Sequence, residues 1–147
     1  MADRASQDYA NHRRFVLMFH VVLFGLLLLT LIGACVNLYQ SMGDHQRLYS
    51  ASLLVVLTIA MIMVSLFARI FALKAQDRAI RAEENLRHFV MTGKLLDPRL
   101  TIRQIIGLRF ASDEEFLALA QRAAAEGLGE DDVKRAVKSW RADTYRV

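Results

Sequence analysis

Two long runs of apolar residues stand out along the chain. From Phe15 to Gly43 there is no Asp, Glu, Lys or Arg, and Leu48 to Ala68 is again free of formal charge. Roughly 20 apolar residues suffice for a helix to cross a hydrocarbon core of about 30 Å. Each run therefore predicts a transmembrane helix, the first over residues 15–39 and the second over 48–73. The first is longer than needed and has to tilt or extend into the headgroups. Arg13 and Arg14 precede it and Tyr39 closes it, a basic flank at one end and an interfacial aromatic at the other. A secretory signal is the competing reading, but the apolar stretch exceeds the usual h-region of about 7–15 residues, and Gly33-Ala34-Cys35 is embedded in apolar sequence. Residues 40–47 form a short polar connection with a Gly43-Asp44 turn signal, so the two spans make an antiparallel hairpin.

After Arg69 the pattern changes. Ile70, Leu73, Asp77, Ile80 and Glu84 follow one helical stripe along which apolar residues give way to charge, and no Pro or Gly interrupts until Gly93. One helix is expected to continue from the second span to about Met91, residues 74–92 being its extension. Glu83, Glu84, Arg87 and His88 then form a polar face, with Arg87 in reach of Glu83. Leu86, Phe89 and Val90 form a short apolar face that needs a partner.

Residues 93–147 read as a small domain of three short helices. Asp97-Pro98 marks a turn, and Thr101 is positioned to cap a helix over Ile102 to about Arg109. Ser112-Asp-Glu-Glu115 predicts a capping box for a helix ending at Gly127. Gly129 opens a last helix, Glu130 to about Ala142, with an acidic first turn and basic later turns, and Trp140 is its largest candidate core residue. The fold class is thus all-α: a two-span hairpin, a cytoplasmic N-terminal tail over residues 1–14, and a small helical domain.

Composition narrows the classes. The 147 residues are 54% apolar and 23% charged, a mean of two unlike halves. Cys35 is the only cysteine, which excludes a disulfide scaffold, and its apolar surroundings suggest a packed small residue. The net charge of +4 matters through its placement. Arg4, Arg13 and Arg14 lie before the hairpin; Arg69, Lys74, Arg78, Arg81 and Arg87 lie after it; the loop holds Arg47 alone. By the positive-inside rule both termini are cytoplasmic and the loop is external.

Little in the chain suggests catalysis. His20 lies within the first span, where an imidazole needs a partner. It is a candidate ligand for haem or a chlorophyll-type pigment, although the second span offers no histidine to complete a bis-histidine site, and headgroups or water near the interface satisfy it equally well. His12, His45 and His88 are dispersed, and no spacing matches a zinc site. No P-loop, Gly-x-Gly-x-x-Gly or nucleophile-elbow pattern occurs. Thr30, Asn37, Ser52, Thr58 and Ser65 suit interhelical hydrogen bonds better than a permeation path. Lys134, Lys138 and Arg141, at i, i+4 and i+7 of the expected last helix, suit anionic lipid headgroups; the weakly basic tail argues against nucleic acid.

The runs Gln76–Phe89, Arg103–Ile106, Leu108–Glu115 and Trp140–Asp143, with the Asn11-His12 entry to the first span, resemble an uncharacterised bacterial membrane-protein family, a domain of unknown function with two spans and a cytoplasmic helical tail. The resemblance implies a bacterial inner (cytoplasmic) membrane and no activity, cofactor or catalytic residue. The expected role is a non-enzymatic accessory or scaffold subunit of a larger membrane complex, respiratory or photosynthetic among the choices, in contact with lipid and other membrane-protein subunits. A stand-alone homo-oligomeric tether or regulator that binds a soluble partner through its tail, and a cofactor-binding subunit using His20, are the alternatives. The orientation is directly testable. An impermeant thiol reagent applied to intact cells is expected to label a cysteine placed at Gly43 and to miss one placed at Gly129; the reverse pattern contradicts it.

Overall fold

The structure is a computed structural model that describes residues 7–10 and 15–143. Arg4, Arg13, Arg14, Asn11 and His12, which carried part of the reading above, lie outside the described residues. Among the described residues the fold is all-helical, without strands. The described residues divide into two compact units: residues 15–71, and residues 72–143 together with residues 7–10.

The first unit opens with a π-helical turn, Met18–Leu23, that passes into α1, Phe24–Gln40. Together they give 23 residues long and apolar enough to cross a membrane. Ser41, Met42 and Gly43 then reverse the chain, and Gly43 takes φ +101°, a left-handed value that glycine tolerates without a Cβ clash. The second helix, α2, spans His45–Thr92 and so starts three residues earlier than the pattern suggested. The Asp44 carboxylate accepts hydrogen bonds from the backbone N–H groups of Gln46 and Arg47, which explains the earlier start. At about 1.5 Å per residue a 48-residue helix runs about 72 Å, more than twice a hydrocarbon core. It is the second helix long and apolar enough to cross a membrane.

The buried positions of this unit are small: Ala34 and Ser41 on one side of the reversal, Ala51 and Thr58 on the other. The large side chains, Leu28, Leu29, Val56, Val64 and Phe71 among them, face outward. The hydroxyls do not bridge helices as expected. Thr30, Thr58 and Ser65 each donate to the carbonyl four residues earlier on their own helix, and Ser52 to that three residues earlier. An apolar setting offers no nearer acceptor than the preceding turn. Cys35 is exposed rather than packed.

In the second unit α2 runs without interruption to Thr92 and stops at Gly93, which has φ +74°. After the Asp97–Leu100 turn come α3 (Ile102–Leu108), α4 (Asp113–Glu126) and α5 (Glu130–Ala136). Thr101 and Gln104 close a reciprocal capping box on α3, and Gly127, with φ +64°, ends α4. The core they enclose centres on Ile105, Leu108, Phe110, Phe116, Ala123 and Val133, with Ile80 of α2 joining it.

Two expectations fail, for one linked reason. Ser112 does not form a capping box with Glu115. Its hydroxyl donates instead to Glu114, and the Glu115 carboxylate accepts the backbone N–H groups of Lys138 and Ser139. Those are the donors that would have extended α5. Val137 is extended, the helix ends at Ala136 rather than near Ala142, and the chain pairs Trp140 with Ala111 in an isolated antiparallel bridge. Trp140 is half-buried, its ring 4.9 Å from that of Phe110, so the largest fully buried side chains are Phe110 and Phe116 instead.

Helices α3 and α5 meet at Gly107. A Cβ there would lie 3.0 Å from Val133 Cγ1 and 3.2 Å from the Glu130 carbonyl oxygen. Backbone on one side and a buried side chain on the other leave no easy relaxation. Gly107→Ala is expected to destabilise this unit by about 1–2 kcal/mol, the cost of mild overpacking. Denaturation followed by the fluorescence of the single tryptophan measures it; a gain of stability, as Gly→Ala gives in an open helix, contradicts the packing.

Candidate functional site

Helix α2 presents two opposite faces to the second unit and to solvent, and their polarity is inverted. Ile80 and Glu84 are buried, and Arg87 and His88 half-buried, against the small domain. Leu86 is 62% exposed, Phe89 50% and Val90 76%. Of the expected polar face, Glu83 is exposed while Glu84, Arg87 and His88 pack, and the apolar face is open.

Arg87 explains how a charged face can pack. Its side chain is only 10% exposed. NH1 donates to Glu84 Oε2 at 3.1 Å, NH2 to the Ala111 carbonyl at 2.9 Å, and Nε to Asp113 Oδ1 at 2.8 Å. The guanidinium carbon lies 4.2 Å from the Phe116 ring centroid. A planar fork of donors serves several acceptors at once while its face rests on an aromatic, which an ammonium cannot do. The partner is Glu84 at i−3 and a distant aspartate, not Glu83. Burial pushes the Glu84 carboxyl above the ordinary carboxylate range, and the nearby Arg87 offsets this only in part. His88 secures the end of the same helix: its Nδ1 lies 2.7 Å from the Lys94 carbonyl oxygen, and its ring meets the edge of Phe116.

Beside this cluster Gln76, Ile80, Glu83, Glu84, Arg109 and Arg141 line an open cavity of about 380 Å³. Arg109 is 6% exposed and pairs with Asp143 at 2.9 Å. The lining carries both signs of charge, so it favours neither a simple anion nor a simple cation.

The remaining candidates are scattered. His20 lies in the π-helical turn of the first unit, exposed, with Nδ1 2.9 Å from the Val16 carbonyl oxygen and its ring stacked on Phe15. With Nδ1 engaged by its own backbone, Nε2 would be the atom to hold the metal of a haem or pigment. Lys134, Lys138 and Arg141 do not share a helical face, because α5 ends before the last two. Lys134 is buried and paired with Glu130, while Lys138 and Arg141 are exposed on the irregular segment beyond. Burial alone would raise the Glu130 carboxyl; hydrogen bonds and charge from Lys134 and Arg103 outweigh it and hold the group below its ordinary value. Among the described residues no group of three or more His, Cys, Asp or Glu is placed to hold a metal.

Sequence reasoning missed the role of Arg87 and the depth of Arg109. A signal was present for the first: Ile80, Glu84, Arg87 and Met91 share one stripe, and its apolar ends mark it as a contact face rather than a solvated one.

Removing Arg87 leaves Glu84 buried without its main partner. Arg87→Ala is expected to cost the second unit about 3–5 kcal/mol, the scale for breaking a buried pair from one side. Arg87→Lys should recover only part. Replacing both partners, Glu84→Met with Arg87→Met, should cost clearly less than the single truncation. Tryptophan-monitored denaturation checks the order, and equal losses for single and double variants contradict it.

No curated protein and no solved structure matches the chain. One family model does, described as a Family of unknown function (DUF6526), and its match runs over residues 1–147. Coverage of the full length, together with the two long apolar helices and the helical unit after them, places the chain in that family: it is a member of DUF6526, a family of unknown function.

Proposed function

We propose that this protein is a non-enzymatic accessory or scaffold subunit of a larger complex in the bacterial inner membrane. In this reading the hairpin is the anchor, the small helical domain is cytoplasmic, and the uncovered face of α2 is where the complex is built. That face carries the reading. Leu86, Phe89 and Val90 stand together on one side of a helix whose other side is already held by its own domain. A contiguous apolar patch flanked by polar residues is the usual mark of a protein contact.

The outward-facing apolar side chains of residues 15–71 support the membrane location. Support for both termini lying on one side comes from the second unit. The Asp143 backbone N–H donates to Gln7 Oε1 at 2.7 Å, and Arg135 lies over the Tyr9 ring, so the N-terminal segment packs with the C-terminal one. The exposed Lys138 and Arg141 are the remaining candidates for contact with anionic headgroups. No catalytic residue and no cofactor is assigned, and His20 enters as a span residue satisfied by its own backbone.

Native membranes extracted in mild detergent and run on a native gel test this reading. The chain is expected to migrate in a high-mass band with other proteins, which mass spectrometry of that band then identifies. Migration only as a monomer or small homo-oligomer contradicts it.

A further inference from the structure

We propose that a second copy of this chain covers the open face of α2, forming a parallel two-stranded coiled coil over residues 72–89. The proposal rests on the membrane reading above and names a partner for the face identified there. Ala72, Ala75, Ala79, Ala82, Leu86 and Phe89 recur at alternating steps of three and four, the spacing that keeps a seam facing a neighbouring helix. Numbered as a heptad, Ala72, Ala79 and Leu86 take a, and Ala75, Ala82 and Phe89 take d. The residues held by the small domain, Ile80, Glu84, Arg87 and His88, then fall at b, f and c, on the far side of the helix. Ala79 and Glu83, at a and e, also border the open cavity beside Arg109 and Arg141, so the seam and the small domain meet along one edge of the helix, while Ala75, Ala82, Leu86 and Phe89 stay open.

Two observations select a second copy over another occupant. The first is charge. Arg78 falls at g and Glu83 at the following e, five residues on, which are the positions that meet across a parallel pair. Both are exposed, and neither enters an ion pair among the described residues. In parallel register each copy's Arg78 faces the other's Glu83, so the face complements itself; an antiparallel pair loses that match. The second is direction. Two copies inserted by the same charge rule present their α2 helices to each other running the same way. The small residues at the first four seam positions let the helices approach closely, and Leu86 and Phe89 supply the apolar area below them.

Disulfide cross-linking of the full-length protein in native membranes tests this, in a Cys35→Ser background. Ala75→Cys and Ala82→Cys are each expected to give a band at twice the monomer mass on oxidation, and Arg81→Cys, at c, is expected to give none. Arg78→Glu should weaken the band at Ala82→Cys, and adding Glu83→Arg should restore it. Cross-linking at only one of the two seam positions indicates an antiparallel pair and overturns the proposal, as does equal cross-linking at Arg81→Cys or none anywhere. The native gel separates the two readings. A high-mass complex without self-cross-linking removes the coiled coil and leaves the scaffold role; self-cross-linking in an isolated dimer does the opposite.

Discussion

The second unit depends on one buried guanidinium. Arg87 comes from a helix that begins as an apolar span, and it carries that helix onto a small domain by serving Glu84, Asp113 and the Ala111 carbonyl together. Desolvating a charge is costly, and the cost is offset only when several acceptors and an aromatic face are already in place. Those acceptors come from α2 itself, from the start of α4 and from the α3–α4 connection. The contact therefore ties three parts of the chain at a single atom group, and Phe116, one of the largest core side chains, lies directly beneath it.

Choosing the polar side of α2 as the packed side has a consequence for the opposite side. A helix whose charged residues are used internally has its apolar residues left over. Leu86, Phe89 and Val90 are exposed for that reason, and their exposure gives the assembly reading its physical basis.

Much of this was legible in the sequence. Charge-free runs gave the two apolar helices, the absence of Pro and Gly gave the continuity of α2, and boundaries were marked by the left-handed backbone of Gly93 and Gly127 and by the capping side chain of Thr101. These are local effects, and local patterns report them. What escaped was tertiary. The acidic start of α4 reads as a cap, yet Glu115 is taken by the N–H groups of Lys138 and Ser139, which cuts α5 short and moves Lys138, Trp140 and Arg141 off the helix. The polar face of α2 reads as surface, yet Glu84, Arg87 and His88 on it pack against the small domain. Gly107 in α3 carries no sequence sign that α5 packs closely against it.

The central claim is that residues 80–91 are part of the folded unit and not a free helical stalk. Hydrogen exchange on the full-length protein in detergent measures this residue group directly. The account predicts that amides of 80–91 are protected to the same degree as those of α3 and α4, and that both groups lose protection together in Arg87→Ala. Exchange of 80–91 that is fast in the parent protein, or unchanged in the variant while α3 and α4 open, would contradict it.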